Sequence, residues 1–259
     1  MSGSLAPPLS APLRILVSAC LAGQSVRYNG AHKHAPDLLR ALAAVPVSPE
    51  SGLFDLRAYF PFLALAPEIR LVCPETECGL GVPREPMRLE GDPRRPSVVA
   101  LNSRQDHTER LSGFTRARIR DLDANPPDAA VLKKGSPSCG VRGVPVYPGP
   151  GEDGALSGRG LFARAFGGAF PFAPVAQENE LASRGAVERF LLRAALARVW
   201  RGFAQNALSR FPMFSGCGES VFALAFGSAG RDFIRNFSRM SPAERASVFR
   251  ELLDSPISG

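Results

Sequence analysis

Short, nearly continuous apolar runs alternate along this chain with longer segments of helical spacing. Leu13 to Ala19 (LRILVSA), Ile69 to Cys73 (IRLVC) and Ala129 to Leu132 (AAVL) are such runs. Strands buried on both faces of a parallel sheet read this way, because neither face needs polar residues. A further strand is expected over Phe172 to Ala176. Between the runs, Pro36 to Ala44, Asp106 to Leu122, Leu161 to Phe170 and Glu188 to Phe203 read as helices. In the second of these, Leu111, Phe114, Ile119 and Leu122 fall on or near one face. Residues 46–67, rich in Pro and aromatics, read as an insertion, and residues 148–160 as a Gly-rich loop. Strands alternating with helices through short connections predict an α/β fold, mostly parallel sheet flanked by helices, of Rossmann-like type.

The pattern divides the chain into three parts. Residues 1–12 are Pro/Ala/Ser-rich and read as a disordered tail, and residues 13–203 as the α/β domain. Residues 204–259 read as a short C-terminal helical extension, with a capped helix starting at Ser241-Pro242 and no evident chemistry of its own.

Composition changes the picture in two respects. The 259 residues are 45% hydrophobic, enough for a sizeable core, yet no apolar stretch reaches the roughly 18 residues of a spanning helix. A protein without a membrane segment, in the cytoplasm, is expected. The formal net charge of +7, with basic clusters at Arg84 to Arg95, Arg116 to Arg120 and Lys133-Lys134, is compatible with a polyanionic partner such as RNA. It is equally compatible with solvated surface charge.

Five cysteines are an odd number in a chain that does not need disulfides to hold a core. Three of them, Cys20, Cys73 and Cys139, follow the three apolar runs, in the segments SACLAG, CPE and GSPSCG. Ligands of open α/β sheets gather outside the carboxyl ends of the strands, so cysteines distant in sequence can meet there. None forms a CxxC pair, which argues against a zinc ribbon or a thioredoxin-like site. Two readings stay open at this level: ordinary buried thiols, or thiolate ligands in turns whose backbone N–H groups stabilise a bound cluster.

Four segments in order, SACLAGQSVRYNGAHK, VCPETECGLGVPREPMRL, LKKGSPSCG and GRGLF, closely resemble the thiouracil desulfidase family. The likeness spans roughly residues 13–200 and is similar in particular to the longer members, which act on 4-thiouridine in tRNA. The resemblance implies an α/β fold holding a 4Fe-4S cluster through three cysteines, with one iron left free for the substrate sulfur. By motif, the ligands are Cys20, Cys73 and Cys139, the essential acid is Glu75 and the essential serine Ser136. Ser18, Arg27, Tyr28, Lys33 and Lys134 are the candidate substrate-binding residues, with Lys133, His32 and Arg84 beside them as charges able to meet a phosphate or a pyrimidine edge. The expected reaction is iron–sulfur-dependent, non-redox conversion of a pyrimidine thiocarbonyl to a carbonyl with release of hydrosulfide.

Three residues stand outside that set. Cys78 is a candidate fourth ligand; it would close the site and favour the alternative of a non-catalytic binding protein with a structural four-cysteine metal. His107 reads as a surface residue opening a helix, and Cys217 as structural. The resemblance fades after about Trp200, and the remaining segment does not match the further domain of the long relatives. Free thiouracil and a thionucleotide therefore stand beside tRNA as expected substrates.

Overall fold

The structure, a computed structural model, describes residues 11–43, 66–203 and 218–257. Most of the expected tail, most of the expected insertion and Cys217 lie outside the described residues. The first sheet contains β1 (Arg14–Ser18), β2 (Glu68–Val72), β5 (Ala129–Leu132) and β8 (Val175–Gln177), in the order β2-β1-β5-β8 and parallel throughout. Its helices are α1 (Pro36–Ala43), the one-turn α2 (Pro74–Glu77), α3 (Thr108–Asp123), α4 (Leu161–Ala169) and α5 (Arg184–Phe203). The α/β class with a mostly parallel sheet is thus as the apolar runs predict.

The two faces of this sheet are covered by different sets of side chains, as the two-residue period of a strand requires. Ile15, Val17, Ala129 and Val131 join one cluster with α5. Leu16, Ala130 and Leu132 join another with Leu122, Phe162 and Phe166 of α3 and α4.

The pattern reading misses a second four-stranded sheet. It comprises β3 (Met87–Glu90), β4 (Ser97–Ala100), β6 (Val144–Tyr147) and β7 (Ala155–Gly158), in the order β4-β3-β6-β7. β3 pairs parallel with β6, and the two outer pairings are antiparallel. These strands are four residues each, and three of them carry charged, Pro or small residues that break an apolar run. The Gly-rich stretch expected as loop contains β7, and the expected strand at Phe172 shifts to Val175–Gln177.

Beyond α5 the chain forms α6 (Gly218–Asn236) and α7 (Pro242–Asp254). The latter starts at Ser241 with a capping box to Glu244. Phe222, Phe233 and Phe249 from these helices enter the same cluster as Trp200 of α5, and Trp200 and Phe249 stack with centroids 4.4 Å apart. A kink at Gly227 interrupts α6, and the buried Arg193 donates to Ala225 O beside it and to Ser255 O beyond α7. Fully buried Asp128, just before β5, accepts from Arg198 and Arg201 of α5 and from the Arg14 backbone, which ties α5 to the sheet.

Candidate active site

β2, β1 and β5 lie side by side, and the chain leaves β1 toward β2 on one side but returns to β5 on the other. A crevice opens at the carboxyl ends of strands where the order reverses in this way. Cys20 follows β1, Cys73 follows β2 directly, and Cys139 lies in the turn after β5. All three line one cavity of about 260 Å³, together with Glu75 and Ser136. Ser18, Arg27, Tyr28, Lys33, Lys133, Lys134 and Arg84 line it as well, and Pro86 and Met87 bring the start of the second sheet to its wall. His32 and His107 are not among the lining residues.

Local sequence explains how each wall is set. Cys73 is extended at the N-cap of α2, Pro74 occupies the first helical position, and the Glu77 carboxylate accepts the Cys73 N–H over 2.6 Å. This single turn carries Glu75 two residues beyond a thiol. After β5, Gly135 adopts φ +70°, a left-handed conformation open to glycine, and starts the turn that carries Ser136 and Cys139. That turn rests on the N-terminus of α4: Leu161 N donates to Pro137 O and Phe162 N to Ser138 O, each over 3.0 Å. The approach is close enough that a Cβ on Gly160 would stand 2.5 Å from Ser138 O, which accounts for the second glycine in GRGLF.

Glu75 is the hub of the polar contacts. Its Oε1 accepts the Ser138 hydroxyl over 3.0 Å and the Ser136 hydroxyl over 3.4 Å, while Oε2 accepts Arg84 Nε over 3.0 Å. Ser136 Oγ in turn accepts the backbone N–H groups of Ser138 (3.1 Å) and Cys139 (3.0 Å). Both serine lone pairs are thereby engaged, and its proton is directed to the carboxylate. Ser138 is buried and was not singled out by the motif reading, although it lies between Ser136 and Cys139 in the same segment. Glu178 is a second residue not singled out: it pairs with Lys133 and accepts the Lys134 N–H over 2.6 Å, fixing the strand end from the 3₁₀ turn after β8.

The thiols occupy distinct environments. Burial pushes Cys20 up to about 11, with the neighbouring Cys73 adding to the effect. Burial pushes Cys139 well above the ordinary thiol value, against a hydrogen bond from Ser18, and Cys73 and Cys20 again stand among the charges that act on it. The three are thus electrostatic neighbours, and a cation among them is what would favour their thiolates. Ser18 itself is buried and accepts the Lys133 N–H over 3.0 Å. Cys78 does not line the cavity; its thiol donates to Glu75 O over 3.2 Å and packs toward the second sheet beside Met87 and Leu161.

The rim is cationic and aromatic. Lys33, Lys134 and Tyr28 are exposed, and the Arg27 guanidinium lies over the Tyr28 ring at 5.5 Å. Arg84, in contrast, is turned inward. Its guanidinium is occupied by Glu75, Val26 O and Gly81 O, so it has no free edge for a phosphate.

Two known proteins are similar to this chain in sequence. An uncharacterized protein of Bacillus subtilis, YbbK, is 29% identical over 157 residues, covering 58% of this chain and 86% of its own. Among solved structures, the [4Fe-4S]-dependent thiouracil desulfidase TudS matches at 29% identity and a TM-score of 0.47, covering 65% of this chain and 93% of its own. A family profile described as 2-thiouracil desulfurase matches residues 15–178, a span that starts in β1, contains all three cavity cysteines with Glu75 and Ser136, and ends after β8. The chain belongs to the 2-thiouracil desulfurase family.

Proposed function

We propose that the protein is an iron–sulfur-dependent, non-redox desulfidase that exchanges the sulfur of a thiolated pyrimidine for oxygen. The observation that carries this reading is the convergence of Cys20, Cys73 and Cys139 on one cavity with Glu75 and Ser136. The donor set suits a cluster: three cysteine thiols on one cavity are soft sulfur donors of the kind that hold iron–sulfur centres. Among the described residues Cys78 faces elsewhere, and three protein ligands would leave a cluster an open position for the substrate sulfur.

Bound there, such a cluster supplies a thiophilic Lewis acid that polarises the C=S bond. The protein's residues supply the rest. Glu75, aimed at the cavity, takes a proton from water as its oxygen adds to the ring carbon. Ser136, whose lone pairs are held by the Ser138 and Cys139 N–H groups, has one proton to give, and turning it from Glu75 to the incoming water orients that water. Glu75 returns its proton to the sulfur as the C–S bond breaks, the added hydroxyl loses its own proton to solvent as C=O forms, and the sulfur leaves as hydrosulfide. One water is consumed per thiocarbonyl, one C=O forms, and no electrons are exchanged.

Tyr28 offers a stacking face for a pyrimidine, and Arg27, Lys33 and Lys134 offer charge to a nucleotide phosphate or to thiolated tRNA. The four cysteines among the described residues are free thiols, which suits a reducing compartment such as the cytoplasm. Iron and acid-labile sulfide analysis after anaerobic purification tests the cofactor: about four of each per chain are expected. A colourless protein holding one zinc and no labile sulfide would refute it.

A further inference from the structure

Arg84 lines the cavity, yet its side chain is only 7% exposed and its guanidinium is spent on the protein. Nε and Nη2 both engage Glu75 Oε2, Nη2 also reaches Val26 O at 3.0 Å, and Nη1 reaches Gly81 O at 2.9 Å. Its backbone N–H is fixed as well, on Tyr28 O at 2.8 Å. A planar fork held at several points defines a direction as well as a charge. The carboxylate of Glu75 is consequently gripped from both ends, with Arg84 on one oxygen and the Ser138 and Ser136 hydroxyls on the other.

We infer that Arg84 is a positioning residue, which acts on the reaction through Glu75 and does not contact the substrate. The inference rests on the desulfidase reading for its catalytic consequence, and on the geometry alone for the placement of Glu75. The carboxylate has rotatable bonds that a one-turn helix does not restrain, and misplacing a reacting group by about 1 Å costs on the order of 100-fold in rate. A residue that only stapled the Val26 and Gly81 loops would affect stability and cluster retention. A positioning residue affects kcat at constant cofactor content.

The test is Arg84→Gln, with Arg84→Lys as the milder companion, in anaerobically reconstituted protein. In Arg84→Gln the iron and labile sulfide content is expected to match the unaltered protein, while kcat for thiouracil falls about 100-fold with KM within about threefold. Arg84→Lys recovers part of the rate. Adding Arg84→Gln to Glu75→Gln costs less than about threefold more, because the arginine has nothing left to position. Loss of iron in both variants, or full additivity with Glu75→Gln, would overturn the inference. A crystal structure of Arg84→Gln provides a readout independent of activity. The expected result is a carboxylate withdrawn from Ser138, and one still bonded to Ser138 would overturn the inference. Absence of sulfide release from the unaltered, iron-replete protein would instead refute the desulfidase reading and leave the crystallographic arm to decide the placement.

Discussion

The Ser138 hydroxyl donates to Glu75 Oε1 over 3.0 Å, and Ser138 is buried in the turn that carries Cys139. A residue adjoining a cavity thiol is thus bonded to the carboxylate that follows another. The contact joins the segment after β5 to the helix after β2 across the end of β1. Ser138→Ala is expected to lower kcat about tenfold while iron content stays constant, since one of the bonds fixing Glu75 is lost and the others remain. Steady-state sulfide release beside an iron assay checks it; an unchanged kcat would remove Ser138 from the account.

Ser136 and the cysteines should separate cleanly by readout. Cys139→Ala is expected to lose the cluster, whereas Ser136→Ala keeps its colour and loses activity by about 100-fold or more. Cys78→Ser keeps both, because its thiol points to the second sheet and a backbone carbonyl. Absorbance and iron analysis of the three variants distinguish these outcomes. Cluster loss in Cys78→Ser would reinstate a four-cysteine site.

Much of this arrangement was legible in the sequence. The apolar runs locate β1, β2 and β5, and the turns after them the three cysteines; β1 and β5 are buried throughout as expected, whereas β2 is an edge strand and only partly buried. A basic residue in a motif does not disclose its partner: by charge Arg84 is a candidate phosphate or pyrimidine contact, yet it lies inward on Glu75. The role of Ser138 is hidden for the same reason, since a hydroxyl contact over 63 positions depends on tertiary packing. The second sheet escapes because charged, Pro or small residues interrupt its short strands, whereas the equally short β5 is apolar throughout.

That second sheet carries a charge cluster with a pH signature. Arg104 and Arg88 donate to Glu90, each over 2.6 Å to Oε1, and Arg104 chiefly holds its carboxyl down at about 2. A free glutamate titrates near 4.3, so the folded value lies below the unfolded one. The stabilisation is therefore complete above about pH 4.3 and is lost as pH falls from there toward 2. Urea melts of the protein and of Glu90→Gln, compared at pH 6 and pH 3.5, are expected to differ more at the higher pH. An equal difference at both would contradict the assignment.

The aromatic cluster beneath the first sheet predicts a larger effect. Phe249 is fully buried and meets Trp200, Phe222 and Phe233 within one cluster. Phe249→Ala is expected to cost about 3–5 kcal/mol, the lost transfer energy plus the cavity left behind. Denaturant unfolding measures it, and a loss under about 1 kcal/mol would mean that α7 does not share the core of the sheet.

The most direct test of the central claim is sulfide release by the anaerobically reconstituted protein, measured side by side on thiouracil, thiouridine monophosphate and thiolated tRNA, with no electron donor present. The account predicts one hydrosulfide and one oxo-pyrimidine per turnover on at least one of them, with the new oxygen drawn from labelled water. Iron-replete protein that releases no sulfide from any of the three, or does so only when a reductant is supplied, would contradict it.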